Sequence, residues 1–538
     1  MRAKGTRICR ARQSNTRWPR LFGRKKLTAA LLAVLLAIFS LPVPAAFAAG
    51  TGNGTAGPQI GLFNPAGLEG GIANETVYRE IVWVTGEPVE VSGTLKFSAS
   101  SARGGKATIK CTYQLENAAR GIDLKRSLTL EAAETASGRQ IIYTAYVKSA
   151  SETITVSQAG SKNKTTFRLV KDGYQFSYSA VLDQQPAVGY FSSNWIGRKT
   201  YEINKGEGTL TVDLSGEGVG YSHAWGEAET RSVQISLAAE PSGNSEQPAW
   251  NGAASLSLAF NCTRDLTYVP NEPAVISFAG GYVKTETRES ILDYSYDLPL
   301  TPGKSERTEG SGRIKLNAVP LCERLPVAGL KDVRGFWAED EIGRMVSLGA
   351  LRGGEYFGAR LPLSRAEFAR GLAQVGGISA LPGSAPGSAG ASGKTAVAGN
   401  SAPFFSDLPA SHPDGPYVLA LVQQGVMQGV GGTRFNPEGT LTRAQAATAI
   451  VRMLGLQGMA PNFPYRTSFA DDRDIPAWAR DAVYVAAQLN LLKGDPAGAF
   501  RPQDEITRAE GAVLLERLRS YLAHDLKYHY REQILYQR

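Results

Sequence analysis

Three short elements share one chemistry: Leu363-Ser-Arg-Ala-Glu367, Leu441-Thr-Arg-Ala-Gln445 and Ile506-Thr-Arg-Ala-Glu510. In each, a hydroxyl precedes an acid or amide by three residues, the spacing of a helix N-cap whose side chains answer the first free amides. Arg365, Arg443 and Arg508 then fall in the first helical turn, beside backbone N–H groups and the positive end of the helix dipole. A cation there is unfavourable for the helix alone. With an anion present, a guanidinium and neighbouring amides can grip one carboxylate through paired hydrogen bonds. The pattern therefore predicts anion recognition, three times over. The plainer alternative is that each Arg pairs with an Asp of its own repeat and ties that repeat together, and the two roles can coexist.

The elements around these arginines recur in a fixed order. An apolar-x-Asp stretch comes first: Leu330-Lys-Asp332, Phe405-Ser-Asp407 and Phe469-Ala-Asp471. An aromatic then opens a helix (Trp337, Tyr417, Trp478), and a glycine closes it (Gly353, Gly429, Gly494). Phe435-Asn-Pro437 matches Phe500-Arg-Pro502 just before the Arg element. The Gly429-to-Arg443 and Gly494-to-Arg508 spacings are both 14 residues. Five features in one order, three times, define a repeat. The first copy departs from it: Glu355-Tyr-Phe-Gly-Ala-Arg-Leu-Pro362 has no Phe-x-Pro, Ser364 replaces Thr, and the Gly353-to-Arg365 gap is 12. The second copy has Tyr417-Val for Trp-Ala and Gln445 for Glu. Unequal sites are expected, with Arg365 contributing least.

Other chemistry is sparse. The chain has 4 histidines, of which only His223 lies before residue 326, and it contains no H-E-x-x-H, no G-x-S-x-G and no paired Cys or His spacing. No metal, cofactor or catalytic residue is assigned. The densest polar cluster is Tyr221-Ser-His-Ala-Trp-Gly-Glu-Ala-Glu229. On a strand Glu227 and Glu229 share a face, within reach of acid–base pairing; a solvated edge or turn explains them as well. Trp83, Trp195, Trp225 and Trp250 are either sugar platforms or core. Cys111 and Cys262 alternate with apolar neighbours and read as small buried hydrophobes; with Cys322 they are too few for a disulfide scaffold.

Charge distribution excludes another class. The formal net charge of +9 over 538 residues comes from ten Lys or Arg within the first 48, where there is no acid; beyond them 48 bases face 49 acids. No bulk basic field remains to attract nucleic acid. Those bases precede the apolar run Leu27–Phe39, then Pro42, Pro44 and Ala46-Phe-Ala48. Basic start, short apolar run and A-x-A site compose a secretory signal over residues 1–48. A membrane anchor would need about 20 apolar residues.

Hydrophobic periodicity divides the rest in two. From about 55 to 322 the period is two, as in Leu210-Thr-Val-Asp-Leu214 and Tyr174-Gln-Phe-Ser-Tyr-Ser-Ala180. Short strands separated by Gly-rich breaks predict all-β, sandwich-like domains, one over 49–165 and a second over 166–322. A faint echo of Cys111-Thr-Tyr-Gln-Leu115 in Cys262-Thr-Arg-Asp-Leu266 is compatible with duplication. After 326 the period is helical: Trp478, Ala482, Val485, Ala486 and Leu489 form one stripe, and Ala444, Ala447, Ile450, Val451 and Leu454 another. Residues 379–403, rich in Ser, Ala, Gly and Pro with one charge, Lys394, predict a flexible linker.

The repeat resembles the S-layer homology family, over about residues 326–520. The resemblance implies three modules, at 326–378, 404–456 and 466–520, packed with pseudo-threefold symmetry as an all-α unit and followed by a tail, 521–538. It further implies noncovalent binding to secondary cell-wall polysaccharide, often carrying a pyruvate ketal, on a Gram-positive-type surface. The implied groove residues are Arg365, Arg443 and Arg508; Asp332, Asp407 and Asp471; Trp337, Tyr417 and Trp478; and Gly353, Gly429 and Gly494. The β-rich region is expected to be a non-catalytic display or binding part; a tethered polysaccharide-degrading enzyme is the alternative.

Overall fold

In the computed structural model, the described residues are 67–72, 75–101, 106–157, 164–242, 249–270, 281–299, 307–317, 320–327, 329–381 and 405–535. The expected secretory signal and most of the expected linker lie outside them.

The β-rich region is one antiparallel sheet, not two sandwiches. Its strands are β1 (Gly67–Ile72), β2 (Glu75–Val82), β3 (Val89–Ser101), β4 (Lys106–Asn117), β5 (Ile122–Ser137), β6 (Gln140–Ser157) and β7 (Lys164–Gln184). They continue with β8 (Val188–Ile203), β9 (Gly208–His223), β10 (Gly226–Pro241), β11 (Trp250–Val269), β12 (Gly281–Pro299), β13 (Arg307–Asn317) and β14 (Leu321–Arg324). Strands β1 to β13 pair in chain order, and β14 pairs with β12. The expected boundary at residue 165 falls inside β7, which is hydrogen-bonded on both sides. A hairpin meander pairs nearest neighbours, so strand rhythm alone does not reveal where one sheet would stop.

Alternation fixes which face is inside. Leu210, Val212 and Leu214 are buried, as are Val233, Ile235 and Leu237 on β10. These belong to one core running from Tyr78 on β2 to Ile314 on β13. The sheet twists and curls over that core into a half-barrel. Trp83, just after β2, meets Tyr294 of β12 edge-on at 5.8 Å, joining strands far apart in the sheet order.

The C-terminal region is helical: α1 (Glu339–Ser347), α2 (Arg365–Gly376), α3 (Gly415–Gln423), α4 (Arg443–Leu454), α5 (Ala477–Gln488), α6 (Arg508–Ser520) and α7 (Leu526–Leu535). Each repeat supplies two of the first six. The expected stripe on α4 is fully buried, from Ala444 to Leu454. On α5 the stripe holds for Ala482, Val485 and Ala486, but Trp478 is 57% exposed, so the residue that opens the helix is not in its core face. Helix pairing crosses the repeats: α3 packs on α2, α5 on α4 and α1 on α6.

The two regions share a second core. Tyr190, Tyr221, Trp225 and Tyr282 of the sheet are buried with the helices. Trp225 Nε1 donates to the Val375 carbonyl at 2.7 Å, and Tyr190 OH to that of Leu454 at 3.3 Å. The segment expected as a tail continues α6 through a π-helical turn, Tyr521–Asp525, into α7. Tyr530 of α7 packs edge-on against Tyr221 at 4.8 Å.

Candidate functional site

Arg365, Arg443 and Arg508 are the first residues of α2, α4 and α6, as the capping pattern predicts. Each guanidinium reaches into a different repeat. Arg365 donates to the carbonyls of Phe435 at 3.0 Å and Gln428 at 2.7 Å. Arg443 donates to Phe500 at 2.7 Å and Lys493 at 2.8 Å. Arg508 donates to Phe357 and Arg352, both at 2.7 Å. The contacts run first to second, second to third and third to first. In every case the acceptors are the Phe carbonyl and the carbonyl just before Gly429, Gly494 or Gly353.

The early aspartates hold the same Phe peptides from the other side. Asp332 accepts from the amides of Phe357 and Gly358, both at 2.7 Å. Asp407 accepts from Phe435 and Asn436, both at 2.8 Å. Asp471 accepts from Phe500 at 2.6 Å and Arg501 at 2.7 Å. Backbone amide donors hold Asp332 below the usual carboxylate range. At Asp407 burial pushes upward, but the amides of Phe435 and Asn436 outweigh it and the pKa is lowered. The residue after each Phe is left-handed, with φ of 71° at Gly358, 58° at Asn436 and 55° at Arg501. Phe357-Gly-Ala therefore fills the role of the Phe-x-Pro missing from the first repeat. The plain alternative of a direct Arg–Asp pair within one repeat is not what forms: the Arg of one repeat and the Asp of the next share a Phe peptide instead.

The amides at the helix starts are not free. Arg365 N and Ala366 N donate to the carbonyls of Gly439 and Pro437, Arg443 N and Ala444 N to Asp504 and Pro502, and Arg508 N and Ala509 N to Leu361 and Ala359. The expectation that backbone N–H groups join the arginine in gripping a ligand is therefore corrected, since neighbouring loops use them. Reciprocal capping boxes form at Thr442/Gln445 and Thr507/Glu510. At Ser364 only half the box forms: the hydroxyl accepts from Glu367 N, while the Glu367 carboxylate accepts from Arg352 N at 3.1 Å and from Arg508 at 2.7 Å.

This difference separates the sites. Arg508 is paired with a carboxylate, and next to it Arg352 bridges to buried Asp414 at 2.6 Å. At the equivalent place Arg365 meets the Gln445 amide oxygen, at 3.5 Å, and no carboxylate lies within ion-pair distance of it among the described residues. A cavity of about 340 Å³ opens beside Arg365, lined also by Gly429, Gln445, Arg452 and Trp478. No Asp or Glu lines it. Burial pushes the Arg365 pKa below its usual value, with the Asp407 charge opposing. A partly desolvated cation without a carboxylate gains from an anionic ligand. The residues that meet here come from three repeats: Arg365 from the first, Gly429 from the second and Trp478 from the third. Grouping by repeat, as the sequence suggests, would miss this. Trp337 is 64% exposed, whereas Tyr417 is half-buried and its hydroxyl accepts from Gln374 at 2.8 Å.

The candidate groups of the β-region are packed. Glu227 and Glu229 do share a face, but both are buried, and Glu229 takes a bidentate pair from Arg231 at 2.6 and 2.8 Å. A solvated edge is thus excluded too. Glu152, bound by Arg126 at 2.7 Å and Lys199 at 2.8 Å, is a carboxylate the sequence did not single out. Burial raises its pKa, but the two cations outweigh this and hold it down at about 2, unsuited to general-acid work. His223 is buried and its pKa falls to about 3, chiefly through desolvation. Trp83, Trp195 and Trp225 are core, and Trp250 packs against it partly buried. Cys111 and Cys262 are buried, and Cys322 is exposed. Among the described residues no cluster of His, Cys, Asp and Glu could hold a metal, and no helix is long and apolar enough to cross a membrane.

Comparison with known proteins adds to this geometry. An endoglucanase of Bacillus sp. (strain KSM-635) is 30% identical over 122 residues, 23% of this chain and 12% of its own length. A surface layer protein of Brevibacillus choshinensis is 35% identical over 104 residues, 19% of this chain and 9% of its own. The cellulosome-anchoring protein of Acetivibrio thermocellus is 33% identical over 108 residues, 20% of this chain and 23% of its own. The chain thus spans under a quarter of each of these relatives. Residues 329–369, 404–447 and 468–512 each match the S-layer homology domain, so the helical part of this chain is built from three members of that family.

Proposed function

We propose that residues 326–520 hold the protein noncovalently on a secondary cell-wall polysaccharide, at the surface of a Gram-positive-type bacterium, after removal of residues 1–48 as a secretion signal. The single observation that carries this reading is the cavity at Arg365: two guanidinium groups, no carboxylate and an exposed indole at its rim. A pyruvate ketal supplies the carboxylate such a cavity lacks, and a sugar face can lie on Trp478. The cyclic order of the Arg contacts supports a pseudo-threefold arrangement of the modules. The carboxylate-free cavity, set against the Arg508–Glu367 pair, favours the Arg365 groove as the principal site, the reverse of the ranking expected from the atypical first repeat.

The test is a pull-down of the full chain with purified wall, before and after chemical removal of the secondary polymer. Loss of binding on stripping is expected; equal binding to stripped peptidoglycan overturns the reading.

The sheet is proposed to be a non-catalytic display or binding part. The packed state of Glu227, Glu229 and Glu152 supports this. The matches to an endoglucanase and to an exoglucanase of Acetivibrio thermocellus are over the helical repeats and say nothing of the sheet. Release of reducing ends from wall or plant polysaccharide by the intact protein would promote the enzyme alternative.

A further inference from the structure

A second cleft shares the first turn of α5 with the Arg365 groove. It has a volume of about 500 Å³ and is lined by Phe463, Tyr465, Arg466, Asp472, Ala477 and Arg480, among others. Phe463 and Tyr465 belong to the segment between the second and third modules, outside the repeat pattern. The floor of this cleft is rigid. Arg480 donates to the Asp472 carboxylate and carbonyl, both at 2.8 Å, and Asp472 also accepts from Thr467 N and Oγ1 at 2.8 Å. Tyr465 is fixed by its hydroxyl to Asp481 and meets Tyr484 edge-on at 5.1 Å.

Above this floor two groups are left to solvent. Among the described residues Phe463, 79% exposed, is the most exposed large apolar side chain, and Arg466 is exposed and forms no ion pair. With Arg480 against Asp472, Arg466 leaves the cleft net positive. An aromatic face beside an unpaired cation suits a sugar carrying a negative charge.

Position identifies the occupant. The first turn of α5 carries Trp478 into the Arg365 cavity, and its neighbours Ala477 and Arg480 into this cleft. Ala477 and Arg480 project from a different side of that turn than Trp478, so a chain leaving the groove over Trp478 and rounding the start of α5 would meet Phe463. We propose that the cleft is a second subsite for the acidic wall polysaccharide, taking sugar units beyond those in the groove. This rests on the anchoring reading above.

The test compares purified pyruvylated wall polysaccharide with the single-repeat oligosaccharide released from it, by titration calorimetry on the full chain. Phe463→Ala and Arg466→Ala should each weaken polymer binding about tenfold and oligosaccharide binding less than about twofold. Unchanged polymer affinity in both variants overturns the subsite. So does an equal loss for polymer and oligosaccharide, which would mean a distorted groove. Arg365→Ala serves as the separate control: if it leaves polymer binding intact, the anchoring site itself is wrong, and that failure appears in a different variant.

Discussion

Arg365 approaches the side-chain oxygen of Gln445 at 3.5 Å, the long limit of a hydrogen bond, whereas the equivalent Arg508 meets the Glu367 carboxylate at 2.7 Å. One atom, amide nitrogen against carboxylate oxygen, decides whether the guanidinium already has its counter-ion. Gln445→Glu should therefore close the Arg365 groove from within and weaken binding of pyruvylated polysaccharide about tenfold or more, since charge-assisted bonds contribute about 1.5–3 kcal/mol. The converse change, Glu367→Gln, should free Arg508 and raise the measured stoichiometry or affinity. Calorimetric titration reads both. Binding unchanged by Gln445→Glu would show that the anion does not sit at Arg365.

The arginines also hold modules together, which complicates their removal. Arg365→Ala takes the donor from the carbonyl of buried Phe435 and from that of exposed Gln428, and Arg443→Ala does the same to buried Phe500 and exposed Lys493. Each such variant should lose about 1–3 kcal/mol of stability through its buried Phe carbonyl, water replacing the donor at the exposed one, and the melting temperature should fall accordingly. Polysaccharide affinity should fall most for Arg365→Ala and least for Arg508→Ala, whose ligand-free site is already neutralised. Equal loss of affinity in all three would argue that every groove binds.

Much of the helical part is legible in sequence because its signals are local. The hydroxyl-Arg-Ala-acid spacing places each arginine at a helix start, and it does so correctly. What spacing cannot convey is which repeat a long side chain will enter. Arg365, Gly429 and Trp478 lie far apart in sequence and meet only after the modules pack. The role of Phe357 was hidden because the left-handed residue after it is a Gly, where Asn436 and Arg501 carry a following Pro. In the β-region, alternation reveals the buried face but not the extent of the sheet, since each hairpin looks alike whether it continues a sheet or begins a new one.

Acid should loosen the loops before it unfolds the sheet. Asp332 and Asp407 have pKa values below the ordinary carboxylate range. A depressed pKa contributes stability above the unfolded-state value, near about 4, and that stability is lost as pH falls through the folded value. Melting temperature should thus decline from about pH 4 downward. Asp407→Asn removes this titration, so the variant should be less stable at pH 7 yet show a shallower acid decline. Parallel curves for variant and wild type would mean the Asp407 cap contributes nothing that depends on charge.

The last prediction concerns the seam between sheet and helices. Trp225 is 3% exposed, donates to Val375 at 2.7 Å and lies under the Arg519 guanidinium at 5.1 Å. Its hydrogen bond and cation–π contact both cross from β-strand turn to helical module, and Tyr530 against Tyr221 adds a further crossing nearby. Trp225→Ala removes a large buried ring, which costs about 3–5 kcal/mol where the site cannot collapse. The loss falls on the core shared with the helices rather than on the sheet's own core, because Trp225 belongs to the first and not to the second. Differential scanning calorimetry of the wild type should show the two regions melting together. In Trp225→Ala the helical modules should melt earlier and separately from the sheet. A single transition at unchanged temperature in the variant would show that the seam does not couple them.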